Sequence, residues 1–268
     1  MKSVVITGST RGIGRGLAEN FLARGCQVMI SGREPGPVAA VVDELARQHG
    51  AGKVAGLACE ITEGGQLQAL WDEAVSRFGR VDIWINNAGV SAPRKALAET
   101  DETVIAKVVS INLGGILLGN AVALRGMQGQ GGGQIWNMEG FGSGGQVQPG
   151  MCVYGATKCA VNYINKALQK EVGGSGVQVC TLSPGIVVTD LLMGDYDTSS
   201  AEWEKSKKIF NILGDTVATV TPYLVDGILR TNRSGAKVAW LTTGKAMRRF
   251  MTAGFNKRDL FSGLPSQP

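Results

Sequence analysis

A turn of three glycines, set between a short apolar strand and an amphipathic helix, fixes how this chain must begin. Residues 2–7 form a β-branched run closed by glycine, the pattern of a strand buried on both faces. Gly8-x-x-x-Gly12-x-Gly14 follows and opens a helix that reads to about Arg24. Glycines let the backbone come close to a pyrophosphate, and a helix N-terminus attracts one through its free N–H groups and dipole. Three glycines can serve a turn alone. Placed after a buried strand and before an amphipathic helix, they read as a dinucleotide site.

The alternation continues along the chain. Strands are predicted at 26–31, 53–58, 81–85, 134–138, 177–182 and 237–241, with helices at 37–49, 66–78, 101–125 and 217–230. Such alternation specifies an α/β fold: a single-domain, Rossmann-type, doubly wound parallel sheet of about seven strands with helices on both faces. The domain is expected over 1–243, with a basic tail at 244–268. At 268 residues and 44% hydrophobic, the chain is long enough for one full core.

Five cysteines, odd in number and without a CxxC pair, point to reduced thiols rather than a disulfide frame or zinc site. The one histidine, His49, falls at a helix end, so no metal is expected. The net charge is +5, and its placement matters more than its size. Residues 237–268 hold six basic residues (Lys237, Lys245, Arg248, Arg249, Lys257, Arg258) and one acid, Asp259; residues 1–236 are neutral in sum. No nucleic-acid partner is expected. No signal or transit peptide is read before the first strand. The uncharged run 108–124 contains Ser110, Asn112, Asn120 and three glycines, and reads as a buried helix rather than a membrane span.

The candidate for the chemistry is Tyr154-Gly-Ala-Thr-Lys158, which alone could be an incidental pair on a solvated helix face and gains weight from the strand 134–138 and the glycine-rich loop at 139–150 before it. Positions four apart share a helix face. A lysine there favours the phenolate, so the tyrosine can exchange a proton with a carbonyl oxygen or an alcohol. The second strand ends in Ser31-Gly-Arg33, without the acid that usually holds an NAD ribose. With Arg11 in the glycine turn, two guanidinium groups suit a 2′-phosphate, so NADPH is the expected cofactor.

Four motifs occur in order: Thr7-Gly-Ser-Thr-Arg-Gly-Ile-Gly14, Asn86-Asn-Ala-Gly89, Tyr154 to Lys158, and Ser183-Pro-Gly-Ile-Val-Val-Thr189. Together they resemble the short-chain dehydrogenase/reductase family over almost the whole chain. The resemblance implies that Gly8, Thr10, Arg11, Gly12, Ile13, Gly14 and Arg33 hold the cofactor's phosphates and ribose. It puts Glu60 and Ile61 at the adenine, Asn87, Ala88 and Gly89 along the cofactor, and Pro184, Gly185, Val187 and Thr189 at the nicotinamide. Tyr154 and Lys158 are then catalytic and meet the nicotinamide ribose, and Asn112 holds a water of the proton relay. Residues 190–214 become a substrate lid, and the helices carrying Asn112 and Tyr154 become faces of a homo-oligomer.

One position departs from the family. The catalytic serine belongs thirteen positions before the tyrosine, where this chain has Phe141; counted from Asn137, it falls on Gly140. The nearest hydroxyl is that of Ser143, the candidate replacement. The run Asn137-Met-Glu-Gly-Phe-Gly-Ser-Gly-Gly145, Tyr154 to Cys159, the stretch 182–192 and Lys208-Ile-Phe-Asn-Ile212 resemble one branch, the chlorophyll b reductases of plastids. That implies reduction of the C7-formyl group of chlorophyll(ide) b, in a plastid, in the stroma or beside the thylakoid membrane. A general NADPH carbonyl reductase for another large apolar aldehyde is the alternative, and a non-catalytic NADPH-binding scaffold is the alternative of another class. Met247, Phe250, Met251 and Phe255 are interleaved with the tail's basic residues, a pattern suited equally to peripheral membrane contact and to covering a neighbouring subunit.

Overall fold

In the first strand, β1 (Ser3–Ile6), successive side chains face opposite sides of the sheet, and all four residues are buried. Val4 and Ile6 join one core with Leu17, Phe21, Leu45, Leu224 and Ile228. Val5 joins the other, with Leu67, Leu70, Trp71, Val122 and Met127. The sheet is therefore covered on both faces, as a continuous apolar run requires. A computed structural model describes residues 1–194, 196, 198–255 and 257–262. Lid positions 195 and 197 and the end of the expected tail, 263–268, lie outside the described residues.

The elements follow as α1 (Gly12–Ala23), β2 (Gln27–Gly32), α2 (Pro35–His49), β3 (Val54–Ala58), α3 (Gly64–Phe78), β4 (Ile83–Asn86), α4 (Glu102–Val109), α5 (Ile116–Gly129), β5 (Gly133–Met138), α6 (Cys152–Glu171) and β6 (Val177–Ser183). Then come β7 (Val187–Val188), α7 (Asp190–Met193), α8 (Ala201–Leu213), β8 (Asp215–Thr216), α9 (Val217–Arg230), β9 (Lys237–Ala239) and α10 (Thr243–Thr252). The main sheet has seven strands in the order β3-β2-β1-β4-β5-β6-β9. Every pairing in it is parallel. The order reverses between β1 and β4, and ligands bind beyond the carboxyl ends of strands at such a switch point. Asn86, Asn137 and the glycine turn all lie at that end.

Three local readings change. The helix expected over 101–125 is interrupted by a π turn at Ser110–Gly115, centred near Asn112, and continues to Gly129. By length and composition Glu102–Gly129 is also apolar enough to cross a membrane; in this fold Val122, Ala123 and Met127 of α5 are buried in the core. The lid, read as aperiodic, contains α8, capped by the Ser200 hydroxyl accepting from the Trp203 N–H. The lid is also framed by a parallel pair, β7 with β8, that ties its two ends together. Cys26, Cys59 and Cys180 are buried free thiols, while Cys152 and Cys159 are exposed.

Candidate active site

The first turn of α6 brings Tyr154 and Lys158 together. Lys158 is 4% exposed, and its Nζ donates to the Met138 carbonyl at the end of β5 (3.3 Å). The ammonium lies 5.8 Å from the centre of the Tyr154 ring. Burial pushes the lysine pKa down to about 8, against the upward pull of the Glu139 carboxylate. Glu139 is itself buried and paired with Lys237 of β9 (2.7 Å). The lysine charge is thus poised near neutral pH, where a proton relay can use it.

The loop after β5 brings Gly140 hard against the tyrosine. A Cβ at Gly140 would overlap the Tyr154 hydroxyl and stand 3.2 Å from Cγ and Cε of Lys158. A side chain at that position is admitted only if the tyrosine hydroxyl moves. Ser143 is 4% exposed, and its Oγ accepts from the Gly140 N–H (3.1 Å). Its own N–H donates to the Gly140 carbonyl (3.1 Å), while its carbonyl accepts from Asn162 Nδ2 of α6 (3.1 Å). Ser143 thus closes the turn that carries Gly140 and fastens it to the tyrosine helix. Phe141 stands out at the loop's exposed side.

Asn112 is fully buried in the π turn. Its Oδ1 accepts from the Val90 N–H (2.8 Å), and its Nδ2 donates to the Val90 carbonyl (2.8 Å) and to Thr157 Oγ1 (3.4 Å). A Cβ at Gly89 would lie 3.2 Å from Asn112 Oδ1 and 3.9 Å from Lys158 Nζ. The turn after β4, the π turn and Lys158 therefore form one packed unit.

The dinucleotide side has the shape its sequence requires. Gly8, at φ 64°, leaves room for Ala88, whose Cα a Cβ would approach to 2.9 Å; a Cβ at Gly14 would overlap the Gly8 carbonyl. Asn87 Nδ2 donates to the carbonyls of Thr7 and Gly8 (2.9 Å each), and Thr7 Oγ1 accepts from the N–H groups of Asn87 and Ala88. No side chain caps the start of α1 at Arg11, which leaves its first N–H groups for an anion. These features fit a nicotinamide dinucleotide. Thr10 packs on Gly32 at the end of β2, and Arg33 next to it is exposed. Arg11 meets Asp190 at 3.4 Å on the surface, and Thr189 lies across Gly12. Ile13 is half-buried against the core beneath the turn. Glu60 and Ile61 follow β3; Ile61 is buried against Gly115 of the π turn. Pro184 and Val187 are buried, and Gly185 turns at φ 74°.

A family profile described as short chain dehydrogenase matches residues 2–200. The chain belongs to the short-chain dehydrogenases. It is 38% identical over 93% of its length to a protein named chlorophyll(ide) b reductase NOL, chloroplastic, of Oryza sativa subsp. japonica, and covers 74% of that protein. It is 36% identical over 94% of its length to one named probable chlorophyll(ide) b reductase NYC1 of the same plant, of which it spans about half (52%). Among solved structures it is similar to ElxO with NADP bound, at 26% identity and a TM-score of 0.78, covering 92% of this chain and 99% of that one. Short-chain dehydrogenases are oxidoreductases that act on carbonyl and hydroxyl groups with a nicotinamide cofactor.

Two parts of this dehydrogenase's site escaped sequence reasoning. The first is a buried polar network beneath the lysine. Trp84 Nε1 donates to Asn86 Oδ1 (2.8 Å), and Asn86 Nδ2 donates to Asn137 Oδ1 (2.8 Å). Asn137 exchanges bonds with Asn120 (3.1 Å each way) and donates to Asn165 Oδ1 (2.7 Å), which passes on to Thr181 Oγ1 (3.0 Å). It joins β4, β5 and β6 to α5 and α6. Lone asparagines on separate elements gave no spacing signal.

The second part is the aromatic packing within the segment read as a lid. Trp203, Phe210 and Phe261 are buried together with Tyr196 packed against them. Tyr196 lies 5.3 Å from Trp203 and 5.5 Å from Phe210, centre to centre. The basic C-terminal segment is drawn into this structure. Asp215, 2% exposed, binds Arg249 (2.8 Å), Arg258 (2.6 Å) and the Trp240 indole N–H (2.6 Å). Burial raises its pKa, but the hydrogen bonds from Arg249, Trp240 and Arg258 outweigh that and hold the carboxyl below its usual value.

Proposed function

We propose that this chain catalyses NADPH-dependent reduction of the C7-formyl group of chlorophyll(ide) b to the 7-hydroxymethyl form. The observation that carries this reading is the Tyr154–Lys158 pair facing a side-chain-free position, Gly140, on a loop where the family's serine is absent. A carbonyl mounted on a wide, flat macrocycle needs that clearance. The similarity to proteins named chlorophyll(ide) b reductase, over more than nine-tenths of this chain, supports the same substrate.

When bound, the nicotinamide supplies the hydride, and the carbonyl π bond opens as the new C–H bond forms. Tyr154 gives its proton to the oxygen that becomes the alcohol. Lys158, while charged, stabilises the negative charge left on the phenolic oxygen, and burial strengthens that interaction. Asn112 serves the relay by pinning the π turn to Val90, which fixes the protein groups beside Lys158 for the water that returns the proton. Ser143 serves by holding the Gly140 turn, with its own O–H left as the second donor towards the carbonyl.

Arg33 and Arg11 support NADPH, since the stretch Ser31-Gly-Arg33 offers a 2′-phosphate positive charge and no carboxylate. The plastid location rests on the relatives named chloroplastic. Exposed Met247, Phe250, Met251 and Phe255 beside Arg248 and Lys257 support peripheral contact with an anionic membrane. Exposed Leu117, Leu118 and Tyr163 on α5 and α6 support self-association. The test of the reaction is incubation with NADPH and purified pigment, the product being read by absorbance and mass. A panel of unrelated aldehydes reduced in place of pigment would favour the general carbonyl reductase.

A further inference from the structure

Arg94 is the anomaly of the substrate side. Its Nε and Nη1 are buried, and no protein group accepts a hydrogen bond from either among the described residues. The ring of Tyr196, from the lid, covers the guanidinium, with Cζ 4.4 Å from the ring centre. Arg94 as a whole is half-buried, but keeping two of its nitrogens dry and unmatched costs more than a π face returns.

Arg94 lies on the segment that leaves Gly89, beside Lys158, and passes Val90, which Asn112 holds. The same segment packs Ala92 against Val153, next to Tyr154. At Arg94 its backbone touches Gly150, where a Cβ would lie 3.3 Å from the Arg94 carbonyl carbon. Gly150 closes the loop that begins at Gly140. Arg94 thus joins the three walls of the substrate side: the turn after β4, the glycine loop and the lid.

We propose that Arg94 is a specificity-determining residue that receives a carboxylate of the substrate, with Tyr196 closing over its face. A guanidinium matches the paired oxygens of a carboxylate. The inference rests on the pigment reading for its substrate: chlorophyllide b carries a free propionate on the ring opposite the one bearing the formyl group, whereas chlorophyll b has that group esterified. The protein then favours the free acid.

The experiment measures kcat/KM of the parent, Arg94→Gln and Arg94→Lys with chlorophyllide b and with its methyl ester, which removes the charge without adding a long tail. A second pair, an aromatic aldehyde whose carboxylate stands as far from the formyl carbon as the propionate does in chlorophyllide b, and its methyl ester, runs alongside. Nicotinamide-cofactor binding and thermal melting check the variants. The parent is expected to prefer the acid, and Arg94→Gln to lose roughly ten- to a hundredfold on the acid, the worth of a charge-assisted bond. The ester is expected to be unchanged, and Arg94→Lys to recover part of the loss. Equal losses on acid and ester would make Arg94 only a lid support and overturn the proposal. A parent indifferent to the charge would overturn it even if no variant folds. If the pigments are inert while the aromatic pair keeps an Arg94-dependent preference, the pigment reading fails and the role of Arg94 stands. If all four are inert, both fall.

Discussion

Gly140 and Tyr154 stand so close that a Cβ on the glycine would overlap the phenolic oxygen. The obstructing atom is the far end of a side chain, so a larger residue at 140 displaces the tyrosine rather than breaking the fold. Gly140→Ala and Gly140→Ser are therefore expected to melt within about 1 kcal/mol of the parent, as most substitutions outside a core do. They should lose on the order of a hundredfold in turnover, the scale of a misplacement of about 1 Å. Restoring the family's serine should not restore a better enzyme. A Gly140→Ser protein as fast as the parent would contradict this geometry.

Ser143→Ala separates the two duties of that hydroxyl. Losing the acceptor for the Gly140 N–H should cost about 1 kcal/mol in urea unfolding. If turnover also falls by more than a hundredfold at unchanged cofactor binding, the hydroxyl donates to the substrate; a loss below tenfold leaves it as the cap of the turn.

Lys158 predicts the pH behaviour. Its folded pKa lies near 8, below the unfolded value, because burial disfavours the charge. The sign follows: reduction that uses the charged lysine declines as pH rises through about 8. The penalty of the buried charge also disappears between about 8 and the unfolded value of about 10.4, so this group's contribution to stability rises there. Glu139 holds the pKa up, so Glu139→Gln should move the alkaline limb of kcat to lower pH. A limb unmoved in Glu139→Gln would mean the lysine does not set it.

How much of this was legible beforehand divides along physical lines. The central strands of the main sheet were readable because a strand buried on both faces is a continuous apolar run; the edge strands β3 and β9 are only partly buried. The pairing of Tyr154 with Lys158 was readable because it lies within one helix turn. Helix α8 was missed because its face is mostly polar and only Trp203 and Phe210 are buried. The Asn86–Asn137–Asn165 chain and the Arg94–Tyr196 stack were missed because their members are far apart in sequence and meet only through the fold. The C-terminal cations were read as one basic tail. Arg249 and Arg258 are instead bound to Asp215, and Lys237 to Glu139.

Asp215→Asn tests that last anchoring. Removing the carboxylate strands two partly buried guanidinium groups, at a cost on the order of 3 kcal/mol. Because the folded pKa of Asp215 is depressed, the parent should hold this contribution above about pH 4 and lose it as pH falls through the folded value. Urea midpoints of parent and variant should differ at pH 7 and converge in acid. Equal midpoints at pH 7 would show the arm is not anchored there.

Arg33→Ala should weaken NADPH roughly ten- to a hundredfold while leaving NADH nearly unchanged, since only the former carries a 2′-phosphate for the guanidinium to meet. Titration of both cofactors by fluorescence reads this. Equal losses would remove Arg33 from the phosphate.

The central claim is that the pair Tyr154 and Lys158 reduces the formyl group of a chlorophyll b pigment. The most direct measurement is mass and absorbance of chlorophyllide b after incubation with NADPH, using the parent and Tyr154→Phe. The account predicts conversion by the parent to a product heavier by two hydrogens at the C7 substituent. It predicts that Tyr154→Phe retains the fold and cofactor binding but is slowed at least about a hundredfold, the lower range for a general acid. A parent that leaves the pigment unchanged while reducing simple aldehydes, or a phenylalanine variant that converts it at the parent's rate, would contradict the account.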